Sequence, residues 1–238
     1  MSWRASVRWA GRISLAACAC GVAYLAYVFL TLPDVRPLRT TNPGPTAFMD
    51  LRAREARARG QTARRIQRWL PYARLSPQLT RAVLVAEDSA FWQHEGIDVD
   101  QIRESLEVNL EKGTFARGAS TITQQLAKNL YLSPSKNPVR KLRELLIARR
   151  LEAELSKRRI LEIYLNVIEW GDGIYGADAA ARTYFGKTAA DLTAEESALL
   201  AGAIVNPRVL NPSHPSRGLL SRQRLILQRM GTAVPPPG

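Results

Sequence analysis

EDSAFWQHEG, residues 87–96, and RGASTITQQLAKN, residues 117–129, are the two stretches that decide how this chain folds. The first places two acids at the end of a predicted helix. The second begins a helix with small residues, whose free backbone amides can bind an anion. A proton acceptor beside an anion site is the combination that transfer from a phosphate-activated donor requires. The two stretches therefore predict an enzyme built from helices.

Helix signals extend outward from these stretches along most of the chain. Ser76-Pro77 predicts the start of a helix that ends near Glu87. Asn137-Pro138 predicts the start of a longer amphipathic helix, and Thr193 forms a capping box with Glu196 before an apolar run. No run alternates with period two for long enough to predict a sheet, so the predicted fold class is mainly α. Further helix starts are predicted at Asp98 or Asp100, at Ser120 and at Ser156.

The charge of the chain predicts an anionic partner. Its 238 residues include 34 Lys and Arg against 21 Asp and Glu, which gives a net charge of +13. Nucleic acid, phospholipid headgroups and a phosphorylated substrate are all compatible with this excess. The two cysteines, Cys18 and Cys20, are too close along a helix to bridge, so no disulfide is predicted.

An uncharged run of 20 residues, 13–32, predicts a single transmembrane helix. Three arginines lie within residues 1–12, so the positive-inside rule predicts a cytoplasmic N-terminus and places the chain after Pro33 across the membrane. A cleaved signal peptide is one alternative, and a lipoprotein signal at one of the cysteines is another. The length and the bulky aromatic end of the run favour a retained helix. Nucleic acid is disfavoured as a partner on that side of the membrane.

The segment after this run is predicted to be a basic stalk at residues 33–72. A Pro-rich stretch there is followed by an Arg-rich, helix-prone stretch. Contact with anionic headgroups is favoured over a merely solvated helix because the predicted anchor is adjacent. The main domain is predicted at residues 73–230, and a disordered tail at residues 231–238.

Glu87 is the leading catalytic candidate. It follows an apolar run and precedes Asp88, and both burial and a neighbouring negative charge predict a raised pKa for Glu87. Such a carboxyl suits proton abstraction. The alternative is a pair of surface acids, although the helix dipole disfavours acids at a C-terminus. His94 is interpreted as a structural residue that fixes a turn, and Phe91 as a core residue.

The helix predicted after Ser120 carries a polar face formed by Thr121, Gln125 and Lys128. The amides of residues 118–121 together with the Lys128 cation predict a diphosphate site, and a solvated polar face is an equally weighted alternative.

A second acid, Glu144, lies one helical turn after Arg140. The simplest interpretation is an ion pair within one helix. Because Lys141 adds a second cation, a polyanion site is the functional alternative.

Five strings resemble, in order, the signature motifs of the peptidoglycan glycosyltransferases, over about residues 73–215. The short anchored layout is similar to the monofunctional biosynthetic transglycosylases rather than to the bifunctional penicillin-binding proteins. Residues 133–136 match SxxK, but no KTG follows, so this match is interpreted as chance. The five strings are EDSAFWQHEG, RGASTITQQLAKNLYLS, RKLRELLIARRLE with SKRRILEIYLN, GIYGADAAARTYFGK and ALLAGAIVNP.

The resemblance implies a lysozyme-like helical domain that polymerises lipid II at the outer face of the bacterial inner membrane, without transpeptidase activity. It implies that Glu87 is the general base for the acceptor 4-hydroxyl. A β-1,4 linkage then forms with inversion, and undecaprenyl diphosphate leaves with help from Glu144. The predicted substrate-binding residues are Asp88, Phe91, His94, Arg117, Gly118, Ser120, Thr121, Gln125, Lys128, Asn129, Arg140 and Lys141.

The expected partners are lipid II, the nascent lipid-linked glycan and the inner membrane, with other cell-wall synthesis or division proteins as further candidates. No tightly bound cofactor or metal is expected, although Mg²⁺ or Mn²⁺ could bridge acids and diphosphate transiently. A lytic enzyme with the same helical fold is one alternative, and a membrane-tethered scaffold without catalysis is another. The cluster of cations disfavours the lytic enzyme, which has no diphosphate to bind.

Overall fold

A computed structural model describes residues 3–112, 120–135 and 137–232, and it confirms a mainly helical fold. The chain divides into two compact units, Met1–Asp34 and Val35–Gly238. The elements are α1 Trp3–Leu30, α2 Ala47–Ala58, β1 Ile66–Gln67, α3 Pro77–Glu87, α4 Val99–Lys112, α5 Ile122–Tyr131, α6 Pro138–Glu154, α7 Lys157–Val167, β2 Glu169–Gly171, β3 Ile174–Tyr175, α8 Ala177–Phe185, α9 Ala194–Ala203 and α10 Arg217–Thr232.

The first unit consists mainly of α1, a helix of 28 residues. It begins at Trp3, well before the span predicted at residues 13–32, and includes the basic N-terminal residues. Within the described residues, none of the helices combines the length and apolar character needed to cross a membrane. The predicted transmembrane helix is therefore not confirmed.

The core of the second unit is formed by helices whose apolar faces pack on one another. Helix α3 packs against α9 and α10, and α5 packs against α6 and α7. Leu79 of α3, Leu126 of α5 and Leu161 of α7 have no exposed surface. This packing brings the end of α3 next to the exposed face of α5, where the candidate site lies.

Most of the helix starts predicted from the sequence are confirmed. Ser76, Asn137, Ser156 and Thr193 each accept a hydrogen bond from a backbone amide of the first turn that follows. Asp98 rather than Asp100 caps α4, accepting from the Gln101 amide at 2.8 Å.

The start predicted at Ser120 is wrong by one residue. Thr121 caps α5 and accepts from the Gln124 amide at 3.2 Å. The helix therefore begins at Ile122, whose own amide donates to the Asp88 carboxylate at 2.9 Å. Asp88, which is distant in sequence, thus helps to fix where α5 begins. No local sequence pattern indicates this contact.

The sequence prediction missed a small sheet. Its strand order is β1-β3-β2, with β1 parallel to β3 and β2 antiparallel to β3. Strands of two or three residues are too short to show a period of two, so their residues carry no pattern. Gly176 ends this region with φ +83°, and a Cβ there would lie 2.8 Å from the Asn166 carbonyl oxygen.

The stalk predicted at residues 33–72 differs most from the structure. From Val35 onward this segment belongs to the second unit, and α2 packs against α5. Leu38, Met49 and Leu70 are buried, and β1 joins the sheet. The many arginines dominate the composition, but a few well-spaced apolar residues suffice to dock the segment on the domain.

The C-terminal prediction overlaps the last helix. Helix α10 continues to Thr232, two residues beyond the predicted domain end at 230. The remainder of the tail predicted at residues 231–238 lies outside the described residues.

Candidate active site

Glu87 is the last residue of α3 and is partly buried beside α5. Its Oε2 accepts a hydrogen bond from Gln125 Nε2 at 2.8 Å. Burial raises the pKa of Glu87, and the Asp88 charge adds to this, while the Gln125 bond and the cations Arg222 and Lys128 oppose it. The raised pKa expected from the sequence is confirmed, although burial rather than Asp88 is the main cause.

Gln125 is held in a defined orientation by Tyr164 of α7. The Tyr164 hydroxyl donates to Gln125 Oε1 at 2.9 Å, so the amide nitrogen is turned towards Glu87. Burial raises the pKa of Tyr164 well above its usual value, and the Glu87 and Asp88 charges raise it further. The phenol therefore stays protonated and acts as a donor. Sequence reasoning missed Tyr164, whose only signal was its place in the string SKRRILEIYLN.

Asp88 has internal partners on both carboxylate oxygens. One oxygen accepts from the Ile122 amide at 2.9 Å, and the other lies 2.9 Å from His94 Nε2. Since His94 Nδ1 accepts from the Gly96 amide at 3.1 Å, Nε2 carries the proton and donates to Asp88. His94 thus fixes the turn, as the sequence suggested. The predicted substrate-binding role of Asp88 and His94 has no geometric support.

Phe91 likewise lies in the core. Its side chain is fully buried, and its ring contacts Trp92 edge to face at a centroid distance of 5.1 Å. The Lys157 ammonium lies 4.4 Å from the Phe91 ring centroid. These contacts agree with the core interpretation and give no geometric support to Phe91 in substrate binding.

One group of possible metal ligands occurs among the described residues. Asp88, His94 and Asp98 each offer an atom, and the three atoms lie within 4.8 Å of one another. All three side chains already make the hydrogen bonds given above, and Asp98 caps α4. The bonds of Asp88 and His94 join the end of α3 to the start of α5, whereas the Asp98 bond stays at the start of α4.

Glu144 is buried on α6 and paired with two cations. Arg140 Nη1 and Lys141 Nζ each lie 2.5 Å from a different Glu144 carboxylate oxygen. Lys141 Nζ also donates to Gln124 Oε1 at 3.1 Å and lies 3.5 Å from Ser120 Oγ. The sequence-predicted ion pair is therefore part of a larger network that links α6 to the start of α5.

Lys128 interacts electrostatically with both acids. Burial and the Arg140 and Lys141 charges lower its pKa, whereas Glu144 and, more weakly, Glu87 raise it. Neighbouring Asn129 donates to the Gln125 carbonyl oxygen at 2.8 Å. Lys128 is therefore a cation whose charge interacts with both carboxylates.

The predicted polar face of α5 is only partly correct. Gln125 and Lys128 lie on it, but Thr121 is buried and its hydroxyl donates to the Gly96 carbonyl oxygen at 2.8 Å. Ser120 is exposed. Arg117 and Gly118, which were predicted to bind the diphosphate of the substrate, lie outside the described residues.

A cavity of ≈ 280 Å³ opens beside these residues. Gln125, Lys128 and Asn129 form part of its wall, so the cavity adjoins Glu87 through Gln125. The rest of the wall was not predicted as a site: α2 was assigned to a stalk, residues 168–169 had no role, and residues 204–207 were identified only as part of the string ALLAGAIVNP. The remaining lining residues are Phe48, Arg52, Tyr164, Ile168, Glu169, Ile204, Val205, Asn206, Pro207 and Arg208.

The arrangement combines a proton acceptor with fixed positive charge. Glu87 has a raised pKa and one neutral hydrogen-bond donor, whereas Glu144 is neutralised by two cations. Lys128 interacts electrostatically with both acids and lines the cavity, where an anionic ligand could meet its charge. Such a site can remove a proton at one end and stabilise a departing anion at the other.

Comparisons with known proteins agree with this chemistry. A family model described as Transglycosylase matches residues 54–231. A biosynthetic peptidoglycan transglycosylase of Nitrosospira multiformis is 44% identical over 229 residues, covering 96% of this chain and 98% of the relative. Proteins of the same name from Dechloromonas aromatica and Azoarcus sp. are 48% and 46% identical, covering 82% and 97% of this chain and 84% and 98% of the relatives. The chain belongs to the transglycosylase family and is a glycosyltransferase.

Proposed function

We propose that this glycosyltransferase polymerises peptidoglycan from lipid II. The observation that carries the proposal is the raised pKa of Glu87 beside the cation group of Lys128, Arg140 and Lys141. A diphosphate leaving group needs its charge neutralised more than it needs a proton. A base at one end and cations at the other match that requirement.

The proposed reaction begins at the acceptor sugar. The Glu87 carboxylate takes the proton of the 4-hydroxyl of N-acetylglucosamine, and the oxygen attacks the anomeric carbon of the lipid-linked growing chain. The bond from that carbon to the diphosphate oxygen breaks, and undecaprenyl diphosphate leaves with the electron pair. Attack opposite the leaving group inverts the anomeric carbon and gives a β-1,4 linkage. Lys128 and the two cations beside Glu144 balance the charge of the leaving group.

A transpeptidase activity is not part of the proposal. Of the SxxK-like residues, the structure describes 133–135, which follow α5 in a loop with the Ser133 and Ser135 hydroxyls 3.3 Å apart. A lytic activity is disfavoured because cleavage of a glycan releases no diphosphate and leaves the cation group without a role.

The cell envelope is the proposed location. Placement in the inner membrane, with the catalytic domain in the periplasm, rests on the uncharged run at residues 13–32 and on the lipid-linked substrate. Fractionation of cells after alkaline carbonate washing tests this placement. Release of the chain into the wash would contradict a membrane-spanning segment.

Incubation of the purified full chain with labelled lipid II tests the proposed reaction. We expect a polymer that lysozyme digests, and no polymer from the Glu87→Gln variant. Glu154→Gln is a matched control, because Glu154 pairs with Arg39 and lines no described cavity. Fragmentation of preformed glycan without polymer formation would instead identify a lytic enzyme.

A further inference from the structure

A second, smaller cavity lies next to the candidate active site. Its volume is ≈ 70 Å³, and Arg52 and Arg208 line both cavities. A buried water needs about 10–15 Å³ of such space, so the smaller cavity has room for a group of the size of a carboxylate. The proposed reaction gives this cavity no role.

The two arginines shared by the cavities are already neutralised. Arg52 pairs with Glu55 at 2.9 Å and with Glu169 at 3.1 Å. Arg208 Nε lies 2.9 Å from Asp172 Oδ1, and Asp172 also lines the smaller cavity. The charge of these two guanidinium groups is thus balanced by acids of the chain itself.

Two further arginines of the smaller cavity, Arg59 and Arg64, form no ion pair among the described residues. Both residues are exposed. With Arg52 and Arg208 they give the cavity four guanidinium groups against one carboxylate, that of Asp172. The excess of positive charge favours an anionic ligand, and a guanidinium group binds a carboxylate through two parallel hydrogen bonds.

The backbone that carries Arg59 and Arg64 is fixed at both ends of the loop between α2 and β1. The Gln61 amide donates to the Ala56 carbonyl oxygen at 2.9 Å and so closes the end of α2. The Arg64 carbonyl oxygen lies 2.6 Å from the position of a Cβ on Gly173, so only glycine allows this approach. Both arginines therefore extend from fixed positions at the cavity, which lowers the entropic cost of binding a ligand there.

The substrate of the proposed reaction offers two kinds of anion. Its diphosphate is assigned above to Lys128 and to the cations beside Glu144. Peptidoglycan also carries peptides on its sugars, and their carboxylates are ionised at neutral pH. Because the two cavities share a wall, a peptide attached to a sugar in the larger cavity can reach the smaller one.

We propose that Arg59 and Arg64 bind a carboxylate of the peptide attached to the glycan, in the smaller cavity beside the active site. This assignment rests on the proposed polymerisation, because it takes the peptide of the lipid-linked substrate as the ligand. It gives a binding role to two arginines of the segment that the sequence predicted as a basic stalk.

Steady-state polymerisation in neutral detergent tests the assignment, with lipid II and with the same lipid-linked disaccharide lacking its peptide. For the double variant Arg59→Gln and Arg64→Gln of the full chain, we expect KM for lipid II to rise about fivefold and kcat to stay within about twofold. KM for the peptide-free substrate should stay unchanged. Arg54→Gln with Arg57→Gln is the matched control, because these exposed arginines of α2 form no ion pair among the described residues and line neither cavity.

Three results would overturn the assignment. The first is an unchanged KM for lipid II in the double variant, and the second is an equal rise of KM for both substrates or in both pairs of variants. The third is weaker binding of the double variant to vesicles containing phosphatidylglycerol, with KM in detergent unchanged, which would identify the anion as a lipid headgroup.

A binding measurement separates this assignment from the proposed polymerisation. If the wild type makes no polymer, the polymerisation fails, and calorimetric titration with the water-soluble disaccharide-peptide tests the cavity by itself. We expect binding that weakens in the double variant Arg59→Gln and Arg64→Gln and when the peptide carboxylates are amidated. Equal affinities, or no binding to the wild type, would contradict the assignment.

Discussion

Two glutamates of the candidate site, the partly buried Glu87 and the buried Glu144, have opposite surroundings. Glu87 has a single neutral donor, Gln125, and burial raises its pKa. Glu144 has an arginine and a lysine, each 2.5 Å from one of its oxygens. One glutamate, Glu87, is therefore suited to accept a proton, whereas the other, Glu144, holds two cations in place. The comparison teaches that the charge of its neighbours, as well as its burial, decides what a carboxylate can do.

Glu87→Gln should change activity and stability in opposite directions. We expect polymerisation to fall about 100- to 10,000-fold, as for the loss of a general base. Because the folded-state pKa of Glu87 is raised above 4.5, its stabilising contribution is complete below that pH and is lost as pH rises through the folded value. The variant should therefore have the higher Tm at neutral pH. An equal or lower Tm of the variant at neutral pH would show that the buried charge of Glu87 does not destabilise the fold.

Glu144→Gln should lower both activity and stability. The variant leaves Arg140, Lys141 and Lys128 close together without a balancing charge. We expect about 1–3 kcal/mol of lost stability, less than for a fully buried pair because Lys141 is partly exposed, and an activity lower by about 10- to 100-fold. Thermal unfolding beside Glu87→Gln measures the contrast. A change of Tm in the same direction in both variants would contradict the proposed difference between Glu87 and Glu144.

Gln125→Ala should raise the pKa of Glu87 further above its usual value. The Gln125 bond lowers the pKa of Glu87, so its loss should move the acidic limb of the kcat/KM profile to higher pH. On that limb we expect activity to fall about tenfold. A pH–rate profile of the variant and the wild type measures the shift. A uniform loss at every pH would instead indicate that Gln125 only positions substrate.

Tyr164→Phe should produce a smaller shift in the same direction. The phenylalanine keeps the buried ring but removes the donor that orients the Gln125 amide. We expect a loss of about two- to threefold on the acidic limb and little change above it. A loss larger than that of Gln125→Ala would show that Tyr164 acts by a route other than Gln125.

The sequence was informative where function depends on residues close together along the chain. The helix caps at Ser76 and Thr193, the ion pair of Arg140 with Glu144, and the raised pKa of Glu87 all follow from short spacings or one apolar run. These features depend on local geometry, which a single sequence carries.

The parts that could not be predicted depend on contacts between distant segments. Asp88 reaches the Ile122 amide 34 residues away, and Tyr164 reaches Gln125 across 39 residues. The cavity wall joins α2 to Glu169 by an ion pair that spans 117 residues. Such partners are chosen by the packing of helices, and neither composition nor periodicity specifies which helices meet.

The partners of Asp88 set the route by which a proton can leave the site. If Glu87 takes a proton from the acceptor sugar, the adjacent Asp88 is a poorer relay for it, because the Ile122 amide and His94 already bind its two oxygens. Gln125, the other neighbour, carries an amide that does not titrate. Water in the adjoining cavity is then a direct acceptor for the proton. Each addition of a sugar unit would therefore require water to re-enter, so hydration of the cleft becomes part of the polymerisation cycle.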